Sequence, residues 1–133
     1  MKKLAFTIGD FDCINQDHLH LIKEMRKVVM PDNEVVVVLM DDYASFVNSG
    51  RFPIQDLARR KNNLTFFVQN IQECYSEDPS DSFETIVAFA KLNNLQPVFV
   101  AYDDDKDFKG RTFLKEHNIS IRFIKKSLCK NQE

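Results

Sequence analysis

The chain of 133 residues has three cysteines, three glycines, four prolines and no tryptophan. Cys13, Cys74 and Cys129 lie far apart, with no Cys-x-x-Cys pair and no histidine at ligand spacing. That pattern argues against a disulfide framework and against a structural metal site. Cys74 is expected in a buried strand, Cys129 in a tail, and Cys13 in a loop. The scarcity of glycine implies that Gly9, Gly50 and Gly110 each answer a backbone requirement. No apolar run approaches the length of a membrane span, and no apolar block of a secretory signal stands at the start. A cytoplasmic protein is therefore expected. The formal net charge of -2 gives no reason to expect nucleic acid or a membrane as partner. Twelve phenylalanines with no accompanying basic stripe point to core packing rather than to base stacking.

No internal repeat, low-complexity tract or linker interrupts the chain, so residues 1–133 read as a single domain. Leu4 to Ile8 is a short apolar run. Glu34 to Met40 is a continuous β-branched stretch of the kind buried on both faces of a parallel sheet. Ile71 to Tyr75, Val98 to Tyr102 and Ile119 to Ile124 are further strand candidates. Helices are expected from about Asp17 through Val29, from Gln55 to about Asn70, from an Asp81 or Ser82 cap to Leu92, and over Phe108 to His117. Asp41 to Pro53, polar and turn-rich, reads as a loop. Strands alternating with helices predict an α/β protein, a Rossmann-like three-layer sandwich with a five-stranded parallel sheet. In such a fold, ligands bind beyond the carboxyl ends of the strands, where the strand order reverses.

The densest chemistry follows the first strand, in Gly9-Asp10-Phe11-Asp12-Cys13-Ile14-Asn15-Gln16-Asp17-His18. A loop there opens onto a helix, whose first N–H groups and positive dipole end suit an anion. Bland roles compete with this one. His18 alone reads as a capping or solvent-facing residue. Asp10 and Asp17 fit helix capping as well as they fit opposition to a phosphate, and Asp10 or Asp12 could ligate magnesium. Asp103-Asp104-Asp105 has the look of a solvated charge run, and also the position of a substrate contact at a strand's end.

The segment resembles the first signature of the HxGH nucleotidyltransferase superfamily, which includes cytidylyltransferases and phosphopantetheine adenylyltransferases. Gly9, Phe11, Asp12 and His18 match it directly, and Asn15 stands at the position of its first His or Thr. Arg51-Phe52-Pro53-Ile54 followed by Arg60 is similar to the family's basic stretch and helix arginine. Asp103 to Asp105 with Phe108-Lys109-Gly110-Arg111 is similar to a Gly-Asp-Asp-Trp-Lys-Gly region. The chain departs from the pattern at Asp10, where Thr or Ser is usual, and at Asp17, where Gly is usual. A carboxylate roughly 5 Å from a phosphate charge costs about 3 kcal/mol at an effective dielectric near 20. The closing Arg-Thr-x-Gly-Ile-Ser-Thr-Thr signature is replaced by Lys125-Lys126-Ser127-Leu128-Cys129, with Lys126 and Ser127 at the first two places.

The resemblance implies transfer of a nucleotidyl group from CTP, or ATP, to a phosphorylated small molecule, with release of pyrophosphate and help from Mg2+. His18 and Asn15 would be the catalytic groups. Gly9, Asp10, Phe11, Asp12, Asp17, Arg111, Lys126 and Ser127 would contact the nucleotide, and Lys3, Arg51, Arg60, Asp103 and Asp104 the acceptor. No metal site held by the protein alone is expected. Many members are dimers or larger, so a homodimer is an expectation carried by the resemblance. The other reading of the same residues is a protein that kept the fold, lost the chemistry and acts by binding.

Overall fold

The computed structural model describes residues 2–31, 34–105, 108 and 110–126. Within them the chain runs β1 (Lys3–Gly9), α1 (Gln16–Val29), β2 (Val35–Met40), α2 (Asp42–Ser49), α3 (Leu57–Leu64), β3 (Asn70–Cys74), α4 (Ser80–Leu92), β4 (Gln96–Tyr102), α5 (Arg111–Glu116) and β5 (Ser120–Ile124). The strands form one parallel sheet in the order β3-β2-β1-β4-β5. This is the α/β, Rossmann-like layout expected from the alternation of strands and helices. The order reverses between β1 and β4, so the crevice of this fold lies beyond Gly9 and Tyr102.

Side chains alternate across each strand, and both faces are covered. On one face Ala5, Val37, Leu39 and Val100 meet Leu21, Ile22, Met25 and Val29 of α1 and Leu64 of α3. On the other, Leu4, Phe6, Val38 and Phe99 meet Phe83, Ile86 and Ala90 of α4 and Leu114 of α5. That second core is aromatic. Phe6 sets its ring edge-on to Phe83 and Phe99, with centroids 5.4 and 5.1 Å apart, and Phe99 stacks on Phe108 at 4.7 Å. Core packing takes Phe6, Phe11, Phe83, Phe99 and Phe108, whereas Phe46, Phe52, Phe66, Phe67, Phe89 and Phe123 are exposed, so the expectation of core packing holds for only part of the phenylalanine. Cys74 is buried at the end of β3, while Cys13 is exposed. Cys129, like Lys109 and Ser127, lies outside the described residues.

Three local expectations are corrected. Residues 42–49 form a helix, not a loop: the Asp41 carboxylate accepts the Ala44 N–H at 2.8 Å. Gly50 closes it in the left-handed region (φ 83°), donating its N–H to Phe46 O. Next, α3 stops at Leu64. The N–H groups of Phe67 and Val68 both bond Leu64 O, which turns Val68 into the core and leaves Phe66 exposed. Finally, α4 starts at Ser80 with Pro79 in the cap position, two residues before Asp81 and three before Ser82, and has no side-chain cap. Pro79 O accepts the Phe83 N–H, and Asp78 Oδ1 holds the Ser80 N–H and hydroxyl at 3.0 and 2.7 Å. None of the described helices is long and apolar enough to cross a membrane.

Candidate functional site

α1 begins where expected, and its first turn is closed reciprocally. Asn15 Oδ1 accepts the His18 N–H at 3.1 Å, and the Asn15 N–H donates to His18 Nδ1 at 3.1 Å. This capping box has a histidine in the place usually held by Glu or Gln. It also sets the imidazole tautomer. Because Nδ1 accepts, the ring proton sits on Nε2 when His18 is neutral. Burial pushes the His18 pKa below its ordinary 6.5, and Lys126 pushes the same way, against Asp10, Asp17 and Asp12. A neutral imidazole with an outward Nε2–H is a hydrogen-bond donor that carries no charge.

The loop that presents α1 is bent hard. Phe11 (φ 48°) and Cys13 (φ 54°) both occupy the left-handed region, which side chains other than glycine seldom adopt. Phe11 turns its ring into the core at 2% exposure and lies under His18, with ring centroids 4.9 Å apart. Gly9 packs closely against this ring. A Cβ at that position would meet the Phe11 ring at 3.0 Å. The need here is close approach, not a positive φ.

Above this floor is a cleft of about 450 Å³. β1 and its loop line it with Ile8, Gly9, Asp10 and Phe11, and α1 adds His18 and Leu21. Met40 and Asn48 come from the end of β2 and from α2, and Tyr102, Asp105, Phe108 and Lys126 from the β4 side. The Tyr102 hydroxyl donates to Asp17 O at 2.8 Å, tying β4 to the first turn of α1. Burial, with Asp17 and Asp104, holds the Tyr102 phenol well above its ordinary pKa, so it remains a donor. Lys126 pairs with Asp104 at 3.4 Å, and its ammonium lies 5.3 Å from the centre of the Tyr102 ring.

The structure thus brings together Gly9, Asp10, Phe11, His18 and Lys126 of the residues singled out from sequence. Asp17 bears on His18 electrostatically from the first turn. Asn15 is exposed and caps the helix. The Asp12 carboxylate turns away from the cleft and accepts the N–H groups of Ile54 at 2.7 Å and Gln55 at 2.9 Å. Burial raises the Asp12 pKa, but those two N–H groups, with Arg60 and Arg51, outweigh it and hold the carboxyl below 3.8. Asp103 and Asp104 follow β4 on the exposed rim.

The cations are largely elsewhere. Lys3 opens β1 at the opposite end of the sheet from Gly9, about 20 Å away at roughly 3.3 Å per residue. Arg60 is fully buried at 0% exposure and faces backbone carbonyls. Arg51 is exposed beside Asp12. Arg111 lies over the Phe123 ring at 6.0 Å, in a separate hollow with Phe108, Thr112 and Lys115. Ser127 falls outside the described residues. Conversely, Met40, Asn48 and Tyr102 line the cleft without a signal of their own in the sequence, and Asp105 joins them from the acidic run after β4. Met40 and Tyr102 end their strands, which the crevice rule could have flagged. Asn48 sits on the helix that the sequence reading missed.

Among the described residues no group of three or more His, Cys, Asp or Glu could hold a metal ion. The cleft does contain the Asp10 and Asp105 carboxylates. Magnesium that arrives on phosphates and keeps several waters needs only one or two such ligands. The donor set fits an ion carried in by a substrate, not one caged by protein.

No family model matches the chain, and no curated protein matches it in sequence. Among solved structures, its fold is that of the lipopolysaccharide core biosynthesis protein from Thermoplasma volcanium GSS1, with a TM-score of 0.65 at 20% identity, over 96% of this chain and 98% of that one.

Proposed function

We propose that the cleft binds a nucleoside triphosphate and that the protein is a divergent, slow nucleotidyltransferase. One observation carries the reading. A neutral His18, its Nε2–H fixed by the capping box, lines the cleft at the start of a 14-residue helix, at the reversal of strand order. The signature resemblance supports it. The structural neighbour supports the fold, which alone leaves function open.

In the proposed reaction, an oxygen of the acceptor's phosphate attacks the α-phosphorus of CTP or ATP. The bond from that phosphorus to the β-bridging oxygen breaks, and pyrophosphate leaves with the electron pair. His18 Nε2–H donates to a phosphate oxygen, the α1 N-terminus adds its dipole, and Lys126 adds positive charge once it leaves Asp104. Asp10 and Asp105 would hold Mg2+, which neutralises phosphate charge when bound. Catalysis is then positioning and charge stabilisation, with no covalent intermediate.

The same cleft favours a second reading at one point. Among the described residues, Asp10 and Asp105 face it against one lysine, a balance that opposes a triphosphate. That balance suits a protein that retained the fold and acts through binding alone. A thermal-shift screen with CTP, ATP, GTP and UTP, each with and without magnesium, separates the two. Stabilisation that grows with nucleotide concentration supports the transferase reading, and a flat response to all four supports the other. Pyrophosphate release that persists in His18→Ala would remove His18 from the mechanism.

A further inference from the structure

We infer that the segment from Ile54 to Arg60 is a clasp on the β1–α1 loop, with Arg60 as the positioning residue for the His18 cleft. The bonds run in both directions. Asp12 reaches out to the N–H groups of Ile54 and Gln55 at 2.7 and 2.9 Å. Gln55 Oε1 reaches back to the Cys13 N–H at 3.3 Å. Gln55 O accepts Arg60 Nε at 3.0 Å, and Arg60 Nη1 closes the ring on Asp10 O at 2.7 Å. The same nitrogen bonds Met40 O at 2.7 Å, and Nη2 meets the Asp42 carboxylate at 2.7 Å.

Asp10 O and Met40 O mark the ends of the two strands that floor the cleft, so one buried guanidinium sets their spacing. Arg60 is 0% exposed, so removing its guanidinium takes a partner from three carbonyls at once. Lysine would not reproduce them, because a point charge cannot serve the planar fork that reaches three carbonyls and a carboxylate. The clasp also explains how the chain holds two residues in the left-handed region, Phe11 and Cys13, within one short loop. Phe11 then stays under His18, half-burying the imidazole. Among the described residues, the largest charges acting on His18 are those of Asp10, Asp17, Lys126 and Asp12. Lysine keeps the positive charge of position 60, so Arg60→Lys reaches His18 through loop geometry.

The consequence for nucleotide affinity rests on the function proposed above, but the clasp has readouts of its own. Arg60→Lys and Gln55→Ala are compared with the wild type by amide exchange and by NMR titration of the His18 ring. In both variants the Cys13 and Gln55 amides should exchange at least tenfold faster, with exchange in β1 and β4 unchanged. The His18 pKa should rise toward 6.5. Loss of stability alone would not move that native-state titration. Wild-type exchange and a wild-type His18 pKa in a folded Arg60→Lys would overturn the inference. Should Arg60→Lys not fold, the half-buried Gln55 decides, and wild-type behaviour of Gln55→Ala overturns it equally. Magnesium–CTP should bind Arg60→Lys at least tenfold more weakly. A wild type that binds no nucleotide would sink the proposed function and leave the clasp to be judged by exchange and titration.

Discussion

On the β1 side of the cleft, the loop from Asp10 to Asn15 is bonded on both flanks, to the Ile54–Arg60 segment and to its own helix. On the β4 side, among the described residues, Asp103 N–H bonds Ile124 O, Asp105 N–H bonds Tyr102 O, and Lys126 forms an exposed pair with Asp104. The first wall is a network anchored on the buried Phe11 and Arg60, with its outer bonds, those of Asn15 and Ile54, facing solvent. The second is a charged rim. Substitutions on the first should therefore cost stability and geometry together, whereas those on the second should tune affinity and leave the fold nearly untouched.

The sharpest break of that contrast is Phe11→Ala. It empties a buried site in the core and withdraws the ring from His18, and should cost about 4 kcal/mol in chemical denaturation. Asp12→Asn comes next, at about 2 kcal/mol, since a charge-assisted acceptor of two N–H groups becomes neutral. The same carboxylate gives a pH signature. Its folded pKa is held below 3.8, so its contribution is complete above that value and is lost as the pH falls through the folded pKa. Asp12→Asn should flatten the acid limb of stability against pH.

His18 gives a smaller effect at milder pH. With its folded pKa below 6.5, its contribution is complete above pH 6.5 and disappears as acid protonates the folded ring and breaks the Nδ1 contact to Asn15. A stability profile between pH 7 and 5 should therefore slope downward in the wild type and less so in His18→Gln. The smallest change belongs to the second wall. Lys126→Ala removes an exposed pair and should shift stability by about 0.5 kcal/mol or less. Any loss it causes in binding an anionic ligand would then be readable without a folding correction.

Much of this molecule is legible in its residues, and what is not has identifiable causes. The run Val35 to Val38, followed by Leu39 and Met40, announces a buried parallel strand, because both faces of β2 are covered. α2 escaped because Asn48, Ser49 and Gly50 look like a turn. The Asp41 cap and the Gly50 close were the signals that mark a helix there. α3 looked longer because Phe66, Phe67 and Val68 continue a helical period that the chain abandons at Thr65. For the site, Gly9, Asp10, Phe11 and His18 converge because they lie on one loop and the helix turn that follows it, while Asp12 turns outward from the same loop. Arg51, Arg60, Arg111 and Lys126 stand out by their likeness to family motifs, and a motif match does not show that Arg60 turns its guanidinium inward onto carbonyls. Lys3 opens the first strand, so its place at the end away from the crevice is legible in the sequence. Tyr102 is hidden for the complementary reason: its chemistry is ordinary and only the switch point between β1 and β4 gives it a place, the same feature that sets Asp105 apart within its acidic run.

The Asp10 carboxylate separates affinity from architecture on the tighter wall. Asp10→Thr with Asp17→Gly should strengthen triphosphate binding tenfold or more if these charges oppose phosphate. Weaker magnesium-dependent binding in that variant would assign Asp10 to the metal.

The most direct test of the account is calorimetric titration of magnesium–CTP and magnesium–ATP into the wild type and into His18→Gln. Glutamine at this position retains the reach-back to the Asn15 N–H and removes the imidazole Nε2–H. The account predicts one saturable site in the wild type and a loss of at least tenfold in affinity in a variant of unchanged stability. Equal binding by both proteins, or no binding of either nucleotide by the wild type, would contradict it.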